Sequence, residues 1–215
     1  MTKDSAPAKW EYREHTRVKH IVLEKYLVAW IPILGKWYPR ICYLDGFAGR
    51  GEYRDETSGE VVAFGSPIIA LRVANSLLER CEEKNREPYF GQFRCVAVEK
   101  DADNFKNLRD VLQREKENIA FRNRIQVKPE NQEFATVAGK VLEETEAEIM
   151  PIFSFIDPFG FGGVPFKTVN NILSNPKTEV FFNFMVSAIA RFIEHPQLGE
   201  TLTELFGTEE WKNVI

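Results

Sequence analysis

Five short apolar runs, spaced along the chain and separated by longer amphipathic stretches, constrain this sequence more than any other feature. They are ICYL (41–44), FRCVAV (93–98), RIQV (124–127), PIFSFI (151–156) and EVFFNFM (179–185). Most are apolar throughout rather than alternating, which is the pattern of strands covered on both faces of a parallel sheet. Helical spacing falls between them, over about 16–30, 67–85, 101–116, 131–148 and 165–174. Ser66-Pro67 predicts a helix start, with Ser as N-cap and Pro at the first helical position, and Asp101 predicts another cap. Strand and helix in alternation imply a doubly wound α/β domain with right-handed crossovers. The expected strand order is 3-2-1-4-5. The 215 residues suit one such domain, with a helical extension over 1–35, an inserted loop over 52–65 and a helical C-terminal segment over 187–215.

Several function classes are disfavoured by composition. An apolar content of 44% with 13% aromatics is that of a folded protein, not of a disordered or fibrous one. VFFNFMVSAIARFI (180–193) is too short and too interrupted by Asn183, Ser187 and Arg191 to span a bilayer. The charged N-terminus is unlike a signal peptide, so no membrane association and a cytoplasmic location are expected. Cys42, Cys81 and Cys95 have no metal-knuckle spacing and are odd in number, so neither zinc nor a disulfide framework is expected; Cys42 and Cys95 read as core. A net charge of −4 argues against a protein that grips nucleic acid by bulk charge alone. Residues 1–40 nevertheless carry eight basic side chains against four acidic ones, either a local basic patch or a solvated helix face.

In a doubly wound sheet ligands bind outside the carboxyl ends of the strands, where the strand order reverses. After the first run comes LDGFAGRG (44–51), in which Gly46, Gly49 and Gly51 leave backbone N–H groups open to close approach. The spacing G-x-x-G-x-G differs from the G-x-G-x-x-G of nicotinamide enzymes. Asp45 at the strand end would repel a diphosphate and suits a ligand with a cationic amino group. After the second run stands Glu99, placed to accept hydrogen bonds from both hydroxyls of a ribose. Its distance from Gly51 far exceeds the usual separation of about 20 residues, as the inserted loop explains. After the fourth run comes FIDPFGFGG (155–163), with Asp157 at the turn. Each acid alone has a plain structural account, as a turn cap, a solvated strand end or an Asx-turn. Together, on one rim, they indicate a nucleoside site.

With these motifs in view the sequence resembles the class I S-adenosylmethionine-dependent methyltransferases, which have a Rossmann-like fold. More closely, it resembles the three-Cys-motif partner protein family of bacteria. VKHIVLEKYLVAW, YLDGFAGRGEY, GSPIIAL, VAVEKD and FSFIDPFGFGG carry the likeness over nearly the whole chain from about Arg17. The three cysteines of this chain are not the eponymous motif, which belongs to a partner protein. A related pattern is that of bacterial large-subunit ribosomal RNA adenine-N6 methyltransferases. That resemblance implies S-adenosylmethionine as cofactor, with Lys19 and His20 reaching it from the N-terminal helix, Phe47 and Ser66 lining its pocket, Glu99 on the ribose and Asn131 near the adenine. It also implies that Asp157 is catalytic and close to the cofactor, with Pro158 and Phe159 beside it. From its residues alone, His20 reads as a surface helix histidine.

The chemistry expected of such a site is methyl transfer to an exocyclic amine. Asp157 and the carbonyl of Pro158 would accept the two N–H bonds and align the nitrogen lone pair, and Phe159 or Phe161 would stack on the flipped base. Two positions depart from the related D-P-P-Y motif, Phe159 for Pro and Gly160 for the aromatic. A different reading is a binding module, non-catalytic or dependent on a partner bearing the three-Cys motif; an oxidoreductase is disfavoured by the glycine spacing. The last two strands common in this methyltransferase class are not evident after Met185, so they are either absent or lie beyond a chain that is a piece of a longer one.

Overall fold

The computed structural model of the protein describes residues 12–55, 57–148 and 150–213. Five strands, β1 (Arg40–Asp45), β4 (Gln92–Val98), β5 (Ile125–Glu130), β6 (Ile152–Ile156) and β7 (Thr178–Phe182), form one sheet in the order β5-β4-β1-β6-β7. Every neighbouring pair is parallel. Counting only these strands, the order is the expected 3-2-1-4-5, a Rossmann-like doubly wound α/β fold. The reversal point lies between β1 and β6.

Alternation along the strands sends side chains to two separate cores. Ile41, Tyr43, Phe93, Cys95, Ala97, Phe153 and Phe155 face a cluster built with α1 (Glu14–Gly35), α2 (Ser66–Glu83) and α3 (Ala102–Asn118). Cys42, Leu44, Val96, Val98, Ile152 and Ile156 face the other layer, α4 (Phe134–Glu148) and α5 (Phe166–Ser174). Both faces of the sheet are covered, which explains the near-continuous apolar runs. Cys42, Cys81 and Cys95 are buried and form no disulfide among the described residues. After β7 the chain is helical, with α6 (Val186–Phe192), α7 (Gly199–Phe206) and a 3-10 turn at Glu210–Asn213. Part of the predicted N-terminal extension and the final residues, 214 and 215, lie outside the described residues.

Three local expectations are corrected. Asp101 does cap α3, its carboxylate accepting from the N–H groups of Asp103 and Asn104, but Ser66 does not cap α2. Gly65 holds that place in extended conformation and Ser66 is the first helical residue, because its hydroxyl is engaged by Asp45. The segment 52–65 is not a plain loop but a hairpin of β2 (Glu52–Arg54) and β3 (Val61–Phe64), paired antiparallel. Buried Glu52 ties it to α3 through Arg114, and the Arg72 guanidinium from α2 lies 3.9 Å above the Phe64 ring. Finally, β7 stops at Phe182 instead of reaching Met185.

Candidate functional site

The parallel strands deliver polar residues to one edge and one face of the sheet. Asp45 shares the parity of Ile41 and Tyr43, Glu99 that of Cys95 and Ala97, and Asp157 that of Phe153 and Phe155. All three therefore stand on the side covered by α1, α2 and α3, at the carboxyl ends of β1, β4 and β6.

Asp45 is fully enclosed rather than open to solvent. Tyr43 Oη donates to its Oδ2 at 2.9 Å, the Phe47 N–H to its Oδ1 at 3.2 Å, and Ser66 also bonds the carboxylate. These bonds make Asp45 the organiser of the glycine loop that follows it. Burial pushes its carboxyl up from 3.8 to about 7, with the three hydrogen bonds opposing. The sign follows from linkage. Below the ordinary value the group is protonated in both states; between 3.8 and about 7 only the folded chain keeps the proton, so stability falls as pH rises and the contribution is lost above about 7. Asp45→Asn removes this titration. Denaturant unfolding at several pH values should show the wild type losing stability relative to the variant between pH 4.5 and pH 8; parallel curves would show that folded Asp45 does not hold its proton through that window.

The loop itself is held close to its neighbours. A Cβ on Gly46 would sit 2.8 Å from the Phe134 ring. Gly51 is at φ +78° and its backbone lies against Gly65, where a Cβ added on Gly65 would come within 3.2 Å, so both segments need bare backbone there. Gly49, also at positive φ, bonds through its N–H to Glu99. Glu99 also accepts from the Asp101 N–H at 2.8 Å, and burial holds its carboxyl above the usual range. Asn131, at the end of β5, donates Nδ2 to the carbonyls of Glu99 and Lys100 at 2.9 and 3.1 Å. It braces the end of β4. Phe47 is half-buried, packed on Phe134 at 5.6 Å between ring centres.

Asp157 is gripped on both oxygens. Lys19 Nζ, from α1, lies 2.5 Å from Oδ2, and Asn183 Nδ2, just beyond β7, lies 2.7 Å from Oδ1. Lys19 thus meets Asp157. His20 is buried, not a surface residue; it lies 5.7 Å from Tyr12 and 5.9 Å from Tyr53 of the hairpin between ring centres. Burial pushes its imidazole down to about 4, and its Nδ1 has no hydrogen-bond partner among the described residues. Beyond Asp157, Pro158 is buried while Phe159 is 95% exposed. Phe161 turns inward to a small cluster with Ile189, Leu202 and Leu205. Of the two aromatic candidates, only Phe159 is free to stack on a ligand.

An open groove of about 400 Å³ runs between α1 and α2, past Ile21, Val28, Ile69, Val73 and Leu77. It meets the strand-end site at His20 rather than centring on Asp157. Asn183 and Tyr53 were missed by sequence reasoning. The first is a polar residue closing an apolar strand, a readable signal; the second enters from the hairpin and has none. Among the described residues there is no group able to hold a metal ion and no helix long and apolar enough to cross a membrane. No protein-family model matches the sequence, and no curated protein matches it.

Proposed function

We propose that the chain is an S-adenosylmethionine-dependent methyltransferase of the class I type, cytoplasmic, acting on an exocyclic amine of a nucleobase in RNA or DNA. One observation carries this reading: three neighbouring parallel strands around the reversal point present Glu99, the Asp45-ordered glycine loop and Asp157 on one face of the sheet. The residues present fit the cofactor. Gly46 and Gly51 let the loop after β1 pack tightly under Phe134 and Leu108, Glu99 at the end of β4 offers a carboxylate for ribose hydroxyls, and Phe47 and Ser66 flank the loop. When bound, S-adenosylmethionine supplies an electrophilic methyl group and departs as a neutral thioether, so no metal is required.

The chain's own residues do the rest. Asp157 accepts an N–H of the amine and the Pro158 carbonyl the other, which directs the nitrogen lone pair and replaces its hydration. The Lys19 ammonium pairs with Oδ2 and leaves the remaining lone pairs of the carboxylate to accept such a bond. After transfer the same carboxylate takes the proton that the methylated nitrogen sheds and passes it to water. Phe159, exposed beside the site, provides a face for the base. Incubation with methyl-labelled cofactor and unmodified RNA or DNA should place label on a base amine; label on neither, with folded protein, overturns the acceptor.

A second reading has the fold act in complex with a protein partner, such as one bearing a three-Cys motif. It is favoured by the outer side of α1, where Val18, Val22 and Ile33 are 49%, 44% and 60% exposed. Turnover by the isolated chain would remove the need for that partner.

A further inference from the structure

Asn183 lies one position beyond β7, where it continues the register that pairs Ile156 with Phe182 and so stands beside Asp157. Its backbone N–H donates to the Ile156 carbonyl at 2.9 Å, extending the ladder past the strand. By alternation its side chain shares a face with Glu179 and Phe181, the face on which α1 is docked through Trp30 Nε1 to Glu179 at 3.1 Å. From there Nδ2 reaches Asp157 Oδ1 at 2.7 Å and lies 3.3 Å from Met185 Sδ. The orientation of the amide is fixed by chemistry, since only its NH₂ end can face a carboxylate oxygen.

We propose that Asn183 is a positioning residue for methyl transfer. It holds Oδ1 of Asp157 while Lys19 holds Oδ2, and so fixes the plane of the carboxylate. Each oxygen keeps a further lone pair, and fixing the plane fixes the direction from which an acceptor N–H is received. The two donors divide the work. Lys19 supplies charge and arrives on a helix from the start of the chain; Asn183 supplies direction without charge, from the neighbouring strand. A lysine alone would leave the carboxylate free to rotate about its last bond. A second charged donor would strip it of the basicity needed to accept the amine. A neutral amide does neither.

This inference rests on the methyltransferase reading. The titratable and charged groups acting on or around Asp157 are Lys19 and His20 on α1, Asp45 on β1 and Tyr53 on the hairpin. Two variants separate direction from fold. Asn183→Leu removes the donor; kcat should fall by about 10–100-fold with the KM for S-adenosylmethionine unchanged. Asn183→Asp keeps the shape but sets a second carboxylate against the first, and like charges so close disfavour each other's ionised form. Its rising limb in the pH–rate profile should move up by about one unit or more, with activity recovering in alkali. Because Asn and Asp are nearly isosteric, this arm remains readable even if the leucine variant folds poorly. Wild-type kcat and an unmoved profile in the aspartate variant would overturn the positioning role and leave the functional reading standing. A wild-type chain that neither binds S-adenosylmethionine nor transfers methyl overturns the functional reading, and the role with it.

Discussion

Asp157→Ala is expected to lower methyl transfer by about 10²–10³-fold, while affinity for S-adenosylmethionine changes far less. The effect is large because the side chain is asked to do two things that water does poorly, to orient an amine and to accept its proton in a site already ordered. Both oxygens are bound before substrate arrives, to Lys19 at 2.5 Å and to Asn183 at 2.7 Å. Removing the carboxylate leaves the Lys19 ammonium facing the acceptor with nothing to neutralise it, which disfavours an incoming amine further. Asp157→Asn is the control for shape. It keeps the volume but replaces one acceptor oxygen by a donor, and it should lose activity to a similar degree. An alanine variant as active as the wild type removes Asp157 from the chemistry.

The second large effect concerns how α1 is held over the site. Phe153, the second residue of β6, is buried beneath the helix and meets three aromatic rings, Tyr26 at 5.1 Å, Trp30 at 5.7 Å and Tyr43 at 6.2 Å between centres. Phe153→Ala leaves a cavity that the surrounding rings are too rigid to fill, and should cost about 3–5 kcal/mol in denaturant unfolding. Phe192→Ala, at a residue 37% exposed on α6, serves as the comparison and should cost well under half as much. A Phe153 variant that unfolds with the wild-type midpoint would show that α1 is not docked through this cluster. The consequence for function is direct, because Lys19 rides on the same helix and reaches Asp157 only while it is docked.

The architecture was readable in the sequence for a physical reason. Strands covered on both faces are mostly apolar until they end, Arg94 and Ser154 being the exceptions, so the runs at 41–44, 93–98 and 151–156 mark both the strands and the places where Asp45, Glu99 and Asp157 emerge. The hairpin over 52–65 was not readable. β2 and β3 are short and mostly exposed at their outer ends, and charged residues break their alternation, so their pairing depends on anchors such as Glu52 to Arg114 that only the fold supplies. The burial of His20 follows from that hairpin, since Tyr53 comes down beside it. The Lys19–Asp157 pair joins residues 138 positions apart, and no local pattern announces it. Asn183 was absorbed into the run EVFFNFM, although a lone amide at the end of an apolar strand is what a strand-end site requires. Asp45 stood where it was expected, but the sequence could not tell that Tyr43, Phe47 and Ser66 would take up its carboxylate.

The central claim is that the glycine loop, Glu99 and Asp157 together form a site for S-adenosylmethionine. Isothermal titration of the chain with S-adenosylmethionine, and in parallel with NAD, tests it most directly. One saturable binding event with S-adenosylmethionine, weakened by Glu99→Ala, and no heat with NAD is the predicted result; no binding of S-adenosylmethionine to folded protein would contradict it.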